Sequence, residues 1–126
     1  MKISIITSTY NSKTTLQDTF DSVNSQNDVL LEYIVIDGGS KDGTLTIINK
    51  NKAVSKFITE PDKGIYDALN KGVQLATGDV IGFVHSDDIF ASSTVLAKIV
   101  TAFSKGNVDG VYGDLEYVAK ENSNRV

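Results

Sequence analysis

Short apolar runs alternate with amphipathic stretches along most of this chain. The runs predict strands at residues 3–6, 30–36, 56–59, 79–84 and 108–112. The second run is almost continuously apolar, which is typical of a strand covered on both faces. Because strands and helices alternate over short intervals, the pattern predicts an α/β fold, a doubly wound and mostly parallel sheet with helices on both faces.

Helical spacing of apolar residues predicts which side of each helix faces the sheet. A short helix near residues 45–48 is predicted without a defined face, and Asn11 or Ser12 is expected to cap the first helix. The predicted inward residues are Leu16, Phe20 and Val23 in the first helix; Ile65, Leu69, Val73 and Ala76 in the third, with Ala68 and Gly72 beside them; and Val95 or Leu96, Ile99, Val100 and Phe103 in the fourth.

Composition narrows the possible partners. The 126 residues are 40% apolar and 22% charged, as expected for one ordinary globular domain. A net charge of −4 argues against a nucleic-acid partner. No stretch is apolar for the roughly 18 residues of a transmembrane span. Cysteine is absent, which is compatible with a reducing cytoplasm, and a single histidine argues against a multi-histidine zinc site.

Polar loops follow four of the predicted strands, at residues 7–11, 37–40, 60–64 and 85–88. Carboxyl ends of parallel strands meet at one edge of a sheet, so we expect the carboxylates of these loops to share one cleft: Asp37, Asp62, Asp87 and Asp88. Clustered carboxylates repel each other unless they are compensated. A divalent cation carrying a phosphate is the simplest compensation, and oxygen ligands suit Mg²⁺ or Mn²⁺.

Each loop residue has a chemical role in such a site. Asp37 could accept hydrogen bonds from a nucleobase or ribose, and Tyr10 could stack on a base. Asp87 and Asp88 could bind ribose and metal, while the Lys63 ammonium could reach a phosphate or a carboxylate.

Each loop also has a simpler interpretation. The sequences DGGS and KDGT form turns whatever they bind, and adjacent aspartates often cap helices. Tyr10 could pack rather than stack, and Asp62 could cap the helix that begins near Ile65. The binding interpretation is favoured because all four loops fall at the same end of one sheet.

Four motifs at consistent spacing resemble bacterial family 2 glycosyltransferases, which have the GT-A fold. They are SIITSTYN at residues 4–11, VIDGGSKDGT at 35–44, EPDKGIYDALNKG at 60–72, and GD at 78–79 followed by HSDD at 85–88. The resemblance extends over essentially the whole chain.

The resemblance implies inverting transfer from a nucleotide-diphosphate sugar, often a UDP-sugar, to a saccharide, lipid-linked or protein acceptor. It implies Mg²⁺ or Mn²⁺ bound by Asp88, with Asp87 as a second candidate ligand. It also implies a set of nucleotide-sugar-binding residues: Thr7, Ser8, Tyr10, Asp37, Asp62, Lys63 and Asp87.

The chain departs from the family pattern at its carboxyl end. Family members usually continue into an acceptor site and an acidic base, and none of Asp114, Glu116 and Glu121 has the expected position. We therefore expect residues 1–126 to be the nucleotide-sugar-binding part of a transferase, with the base beyond Val126 and little transfer activity alone. Bare apolar sheet surface would favour a homo-oligomer. The family also suggests a cytoplasmic location, peripheral to the inner membrane.

Two alternatives come from other classes of protein. One is a nucleotide-sugar-binding protein without catalytic activity. The other is a receiver domain, which shares this length and layering but has its acidic pair after the first strand. Here TSTY follows the first strand at residues 7–10, which disfavours a receiver domain.

Overall fold

A computed structural model of the chain describes residues 2–104. Among them, no helix has the length and apolar character that crossing a membrane requires. The predicted fifth strand and Asp114, Glu116 and Glu121 lie outside the described residues. Strands and helices alternate as predicted: β1 Lys2–Thr9, α1 Leu16–Asn24, β2 Leu30–Asp37, α2 Thr44–Lys50, β3 Lys56–Thr59, α3 Ile65–Leu75, β4 Val80–Phe83 and α4 Val95–Ser104.

The four strands form one parallel sheet in the order β3-β2-β1-β4. Strand β1 pairs with β2 from Lys2 opposite Leu30 to Thr9 opposite Asp37. Strand β4 lies on the other side of β1, and its last residue, Phe83, pairs with Ile6. The prediction of a parallel, doubly wound sheet is confirmed, and all strand ends that precede the polar loops face the same edge.

Each face of the sheet has its own hydrophobic core. One core joins α1, α2 and α4 to the sheet and contains Phe20, Tyr33 and Leu96. The rings of Phe20 and Tyr33 meet edge to face with centroids 5.7 Å apart. The second core joins α3 to the sheet through Ile6 and Ala68. Helices therefore cover both faces, which explains the continuous apolar character of β2.

Helix α3 forms where predicted, but two of the residues predicted to face the sheet do not. Ile65 and Val73 are 43% and 41% exposed, whereas Ala68 and Gly72 are buried. At Gly72 an added Cβ would lie 2.5 Å from Cγ2 of Ile6 in β1. The helix lies so close to the sheet that only small residues fit at the closest contact, while the predicted Leu69 and Ala76 pack beside it, partly buried.

Helix α1 buries the predicted Leu16, Phe20 and Val23, each with no exposed surface. Its predicted capping by Asn11 or Ser12 is wrong, because Thr15 is the N-cap residue and no side chain caps the helix. Strand β1 continues to Thr9, so residues 7–9 belong to a strand and not to a turn. Helix α4 buries Leu96 and Ile99, as predicted.

A buried carboxylate holds together the edge of the sheet at the amino ends of the strands. Glu32 in β2 lies 3.2 Å from the ammonium of Lys56 and 3.7 Å from that of Lys2. It also accepts hydrogen bonds from the hydroxyl of Ser4 at 2.7 Å and from Thr77, through its N–H at 2.8 Å and its hydroxyl at 2.9 Å. Burial opposes ionisation, but these contacts outweigh it and lower the pKa of Glu32 to about 2.

Candidate functional site

An open cleft of about 1250 Å³ lies at the other edge of the sheet, beyond the carboxyl ends of the strands. This is the edge where ligands of open parallel sheets bind. Several of the residues predicted from the sequence line the cleft: Ser8, Tyr10, Asp62, Asp87 and Asp88.

Asp37 lies beneath the residues that line the cleft, and its predicted contact with a base or ribose stays a prediction. Its side chain has no exposed surface. One carboxylate oxygen accepts hydrogen bonds from the hydroxyls of Thr9, at 2.6 Å, and of Ser40. The other accepts from the backbone N–H groups of Gly39 and Ser40, at 2.9 and 2.8 Å, and from the hydroxyl of Thr59 at 2.9 Å.

These neutral donors keep Asp37 ionised. Burial by itself would raise the pKa of Asp37, but the hydrogen bonds from Ser40, Thr9 and Thr59 outweigh it and hold the pKa below its ordinary value. The carboxylate thereby ties the end of β1, the turn after β2 and the end of β3 to one point. Asp37 builds the floor of the cleft, and neighbouring residues present their side chains above it.

The carboxylate that reaches the cleft from this side is Asp62, in the loop between β3 and α3. Gly38 lies directly against it, since an added Cβ on Gly38 would be 2.9 Å from Oδ2 of Asp62. Oδ1 of Asp62 accepts a hydrogen bond from the N–H of Gly64 at 3.1 Å, just before α3. The missing side chain at position 38 therefore leaves room for an acidic group from another loop.

Tyr10 and Ser8 line the same cleft at the end of β1. Tyr10 is 65% exposed, so its ring is accessible to a planar ligand. Two other predicted residues do not line the cleft. Thr7 is fully buried, and its hydroxyl bonds that of Tyr33 at 2.7 Å. Lys63 is exposed, and its N–H donates to Asp67 at 3.0 Å.

The acidic pair after β4 has two different environments. Asp87 is exposed, whereas Asp88 is only 6% exposed, and both line the cleft. The N–H of Asp88 donates to the carbonyl of His85 at 3.1 Å, which forms a tight turn. The Ser12 hydroxyl donates to that of Ser86 at 2.8 Å and ties this turn to the loop after β1.

The side-chain chemistry of the cleft suits a divalent cation that arrives with phosphate. Among the described residues the cleft is lined by three aspartates and one histidine and by no lysine or arginine. The described part of the chain has no group of three or more histidine, cysteine or acidic side chains placed to hold a metal by themselves. Magnesium commonly uses one or two carboxylates and takes its other ligands from water and phosphate, so Asp88, with or without Asp87, fits that role.

A parallel sheet with a carboxylate-lined cleft at its carboxyl edge is found in nucleotide-binding α/β domains and in other α/β domains. The sequence identifies the family, because residues 4–126 match glycosyl transferase family 2. This chain belongs to glycosyl transferase family 2. The match leaves the receiver-domain alternative without support.

Curated relatives support the same assignment. A glycosyltransferase of Mycobacterium tuberculosis is 40% identical over 114 residues, covering 88% of this chain and 44% of that protein. A PGL/p-HBAD biosynthesis glycosyltransferase of Mycobacterium bovis is 37% identical over 117 residues, covering 89% of this chain and 46% of that protein. The chain therefore spans about half the length of the curated relatives it matches.

Solved structures share the fold. S. aureus TarS 1-349, crystallised with UDP-GlcNAc, is 26% identical with a TM-score of 0.77, and the match covers 83% of this chain and 32% of that one. The mannosyltransferase PcManGT from Pyrobaculum calidifontis, solved with GDP-Man and Mn²⁺, is 24% identical with a TM-score of 0.73 and covers 79% and 31%. The fold is therefore that of the GT-A glycosyltransferases, as the motifs implied.

Proposed function

We propose that this chain is the donor-binding part of a glycosyltransferase that uses a nucleotide-diphosphate sugar, with a UDP-sugar as the first candidate. The observation that carries the proposal is the cleft at the carboxyl edge of the sheet, lined by three carboxylates and, among the described residues, by no lysine or arginine. A diphosphate cannot enter such a cleft favourably unless a cation compensates both sets of charges.

In this proposal, different exposed side chains of the cleft contact different parts of the donor. The Tyr10 ring stacks on the base, which is worth about 1–3 kcal/mol in comparable contacts. The Asp62 carboxylate, set against Gly38, accepts hydrogen bonds from the base or the ribose. Asp87, which is exposed, accepts hydrogen bonds from ribose hydroxyls. Asp37 supports this set from below.

Asp88 is the proposed metal ligand, with Asp87 as a second one. When bound there, Mg²⁺ or Mn²⁺ would neutralise the diphosphate that leaves. Asp88 is largely buried, so its carboxylate is held close to the protein surface instead of extending into water. Restricted motion of this kind reduces the entropy lost on binding.

The proposed reaction is a direct displacement. The acceptor hydroxyl oxygen forms a bond to the anomeric carbon, the bond from that carbon to the diphosphate oxygen breaks, and the configuration inverts. A carboxylate base takes the acceptor proton. We assign no base among residues 2–104, and the saccharide, lipid-linked or protein acceptor and the cytoplasmic location stay predictions.

Calorimetric titration tests the proposal. The protein is titrated with UDP, GDP and dTDP, each with and without Mn²⁺. We expect at least one of them to bind, with Mn²⁺ strengthening the affinity by about tenfold or more, and we expect Asp88→Ala to abolish the strengthening. The matched control is Asp79→Ala, an exposed aspartate at the opposite end of β4, which should keep it. An Asp88→Ala variant that is folded by circular dichroism and responds fully to Mn²⁺ would reject the metal assignment.

A further inference from the structure

Helix α1 has a polar stripe beside its apolar one. The polar stripe consists of Thr15, Thr19, Ser22 and Gln26, which follow one another at helical spacing on one face and just beyond its last turn. The apolar stripe packs on the sheet. The polar stripe instead faces residues 86–96. Residues 86–94 of this segment contain no helix or strand, and α4 begins at Val95.

The polar stripe satisfies backbone groups along residues 86–96 in chain order. The carbonyl of Ser86 accepts from the hydroxyls of Thr15, at 2.9 Å, and Thr19, at 3.0 Å, and the carbonyl of Asp88 accepts from Thr19 at 2.7 Å. Further along, Ser22 Oγ accepts from the N–H of Phe90, Gln26 Nε2 donates to the carbonyl of Ser92 at 2.7 Å, and Gln26 Oε1 accepts from the N–H of Leu96 at 3.0 Å.

Thr19 is the member of the stripe closest to the acidic pair. A threonine inside a helix commonly bonds the carbonyl four residues before it, as Thr101 does in α4 with Ala97 at 2.9 Å. Thr19 instead shares its single hydroxyl proton between the two carbonyls on either side of Asp87, and the Asp88 carbonyl is the closer of the two. It has no exposed surface and does not line the cleft, so it cannot touch a ligand. The hydrogen bonds of Thr19 connect it to the backbone that carries Asp87 and Asp88, and this is the route by which it would act on a ligand.

We propose that Thr19 is a positioning residue for the metal site, and that the polar stripe of α1 fixes the backbone of Asp87 and Asp88 where their carboxylates can share a cation with a diphosphate. The inference rests on the proposed function. The chemical reason is that a buried carbonyl without a donor is costly, so the chain stays where the Thr19 hydroxyl reaches the Asp88 carbonyl. The stripe thus connects the packing of α1 on the sheet to the geometry of the acidic pair.

The test is Thr19→Val, which removes the hydroxyl and keeps the shape. The probe is whichever of UDP, GDP or dTDP binds the wild-type protein most tightly, titrated with and without Mn²⁺. We expect the strengthening by Mn²⁺ to fall about tenfold and the metal-free affinity to change by less than about twofold. Thr19→Ser, which keeps the hydroxyl, should restore the Mn²⁺ response. A purely structural role would lower both affinities together.

Thr101→Val is the matched control, since it removes a helical threonine hydroxyl that bonds its own helix, and it should change neither affinity. If Thr19→Val does not fold, Ser22→Ala replaces it, because it releases the N–H of Phe90 from the same stripe. Undiminished Mn²⁺ response in the folded variant overturns the inference. A wild-type protein whose affinity ignores Mn²⁺ overturns the proposed metal site as well, so the two failures are distinguishable.

Discussion

Strand β2 has a buried carboxylate near each end, and different kinds of contact stabilise the two. Glu32, near the amino edge of the sheet, is 7% exposed, and Asp37, at the carboxyl edge, is 0% exposed. Glu32 contacts two lysine ammonium groups as well as neutral donors. Asp37 has only neutral donors among its recorded contacts in the described part of the chain: the hydroxyls of Thr9, Ser40 and Thr59 and two backbone amides.

The two edges of the sheet therefore differ in whether positively charged side chains contact the buried carboxylate. At the amino edge the protein supplies its own counter-charges, so that edge requires nothing from outside. At the carboxyl edge a negative charge is held by dipoles alone, and three more carboxylates line the cleft above it. The net negative charge of that edge is available to a cation that comes with a ligand. Three predictions test this contrast, in order of decreasing effect.

Removing Asp37 should have the largest effect. Asp37→Ala leaves the amides of Gly39 and Ser40 and the surrounding hydroxyls without their acceptor, and we expect the free energy of unfolding to fall by about 4 kcal/mol at pH 7. Nucleotide affinity should fall as well, because the floor of the cleft is lost. Urea unfolding and calorimetric titration measure the two effects.

Asp37→Asn is a milder substitution at the same position. Its amide can donate to the hydroxyls of Thr9 and Ser40 if they rotate, so the loss should be smaller than for alanine. The control is the exposed Asp18→Asn in α1, which should change the free energy of unfolding by less than about 0.5 kcal/mol. Equal stability of wild type and Asp37→Ala would contradict the central role of Asp37.

The second-largest effect is expected from acid, which should reduce the stability that Glu32 gives the fold. The folded-state pKa of Glu32, about 2, lies below the ordinary value of 4.5, so its contribution is present above pH 4.5 and is lost as the pH falls toward 2. The shift corresponds to a free energy on the order of 3 kcal/mol. We expect wild type to be more stable than Glu32→Gln at pH 7, with the gap closing between pH 4.5 and 2 in urea titrations.

The matched control for Glu32 is Glu60→Gln. Glu60 pairs with Lys71 at 3.0 Å, but its side chain is 54% exposed, so water screens the pair and the gap should be small at every pH. Neither substitution should change nucleotide affinity, because both side chains lie outside the cleft. A Glu32→Gln gap that is independent of pH would show that the charge of Glu32 does not stabilise the fold.

Lys56→Met should have the smallest effect. It removes the ammonium nearest to Glu32, but Lys2 still contacts the carboxylate and methionine retains the apolar stem. We expect a loss of about 1 kcal/mol in the free energy of unfolding and unchanged nucleotide affinity. Weaker nucleotide binding in Lys56→Met would contradict the separation of the two edges.

The sequence predicts the elements of this fold well, because the period of apolar residues reports burial directly. It locates all four described strands and the buried face of α1. It places Ala68 and Gly72 of α3 correctly against the sheet, but it wrongly puts Ile65 and Val73 on the buried face, because an apolar side chain gives the same signal whether or not it is covered. It also ends β1 too early, since the polar Thr7 and Thr9 are buried by hydrogen bonding to Tyr33 and Asp37.

The candidate site is predicted less completely. The sequence identifies Asp62, Asp87 and Asp88 because strand ends converge at one edge. It does not reveal that Asp37 is buried, because an aspartate in a turn sequence looks the same whether its acceptors face a ligand or the chain. The polar stripe of α1 was also missed. Its helical spacing from Thr15 to Gln26 is visible in the sequence, but its partner segment is distant and irregular.

Gly72 has a consequence for the shape of the cleft. Because no side chain separates α3 from Ile6 in β1, the helix rests directly on the sheet, and its first turn, with Ile65 and Ala68, forms one wall of the cleft. The contact at Gly72, two helical turns from Ile65, thus determines how much space the cleft offers a ligand. A single methyl group at that contact would displace the wall, so the width of the cleft can change without a substitution at any residue that lines it.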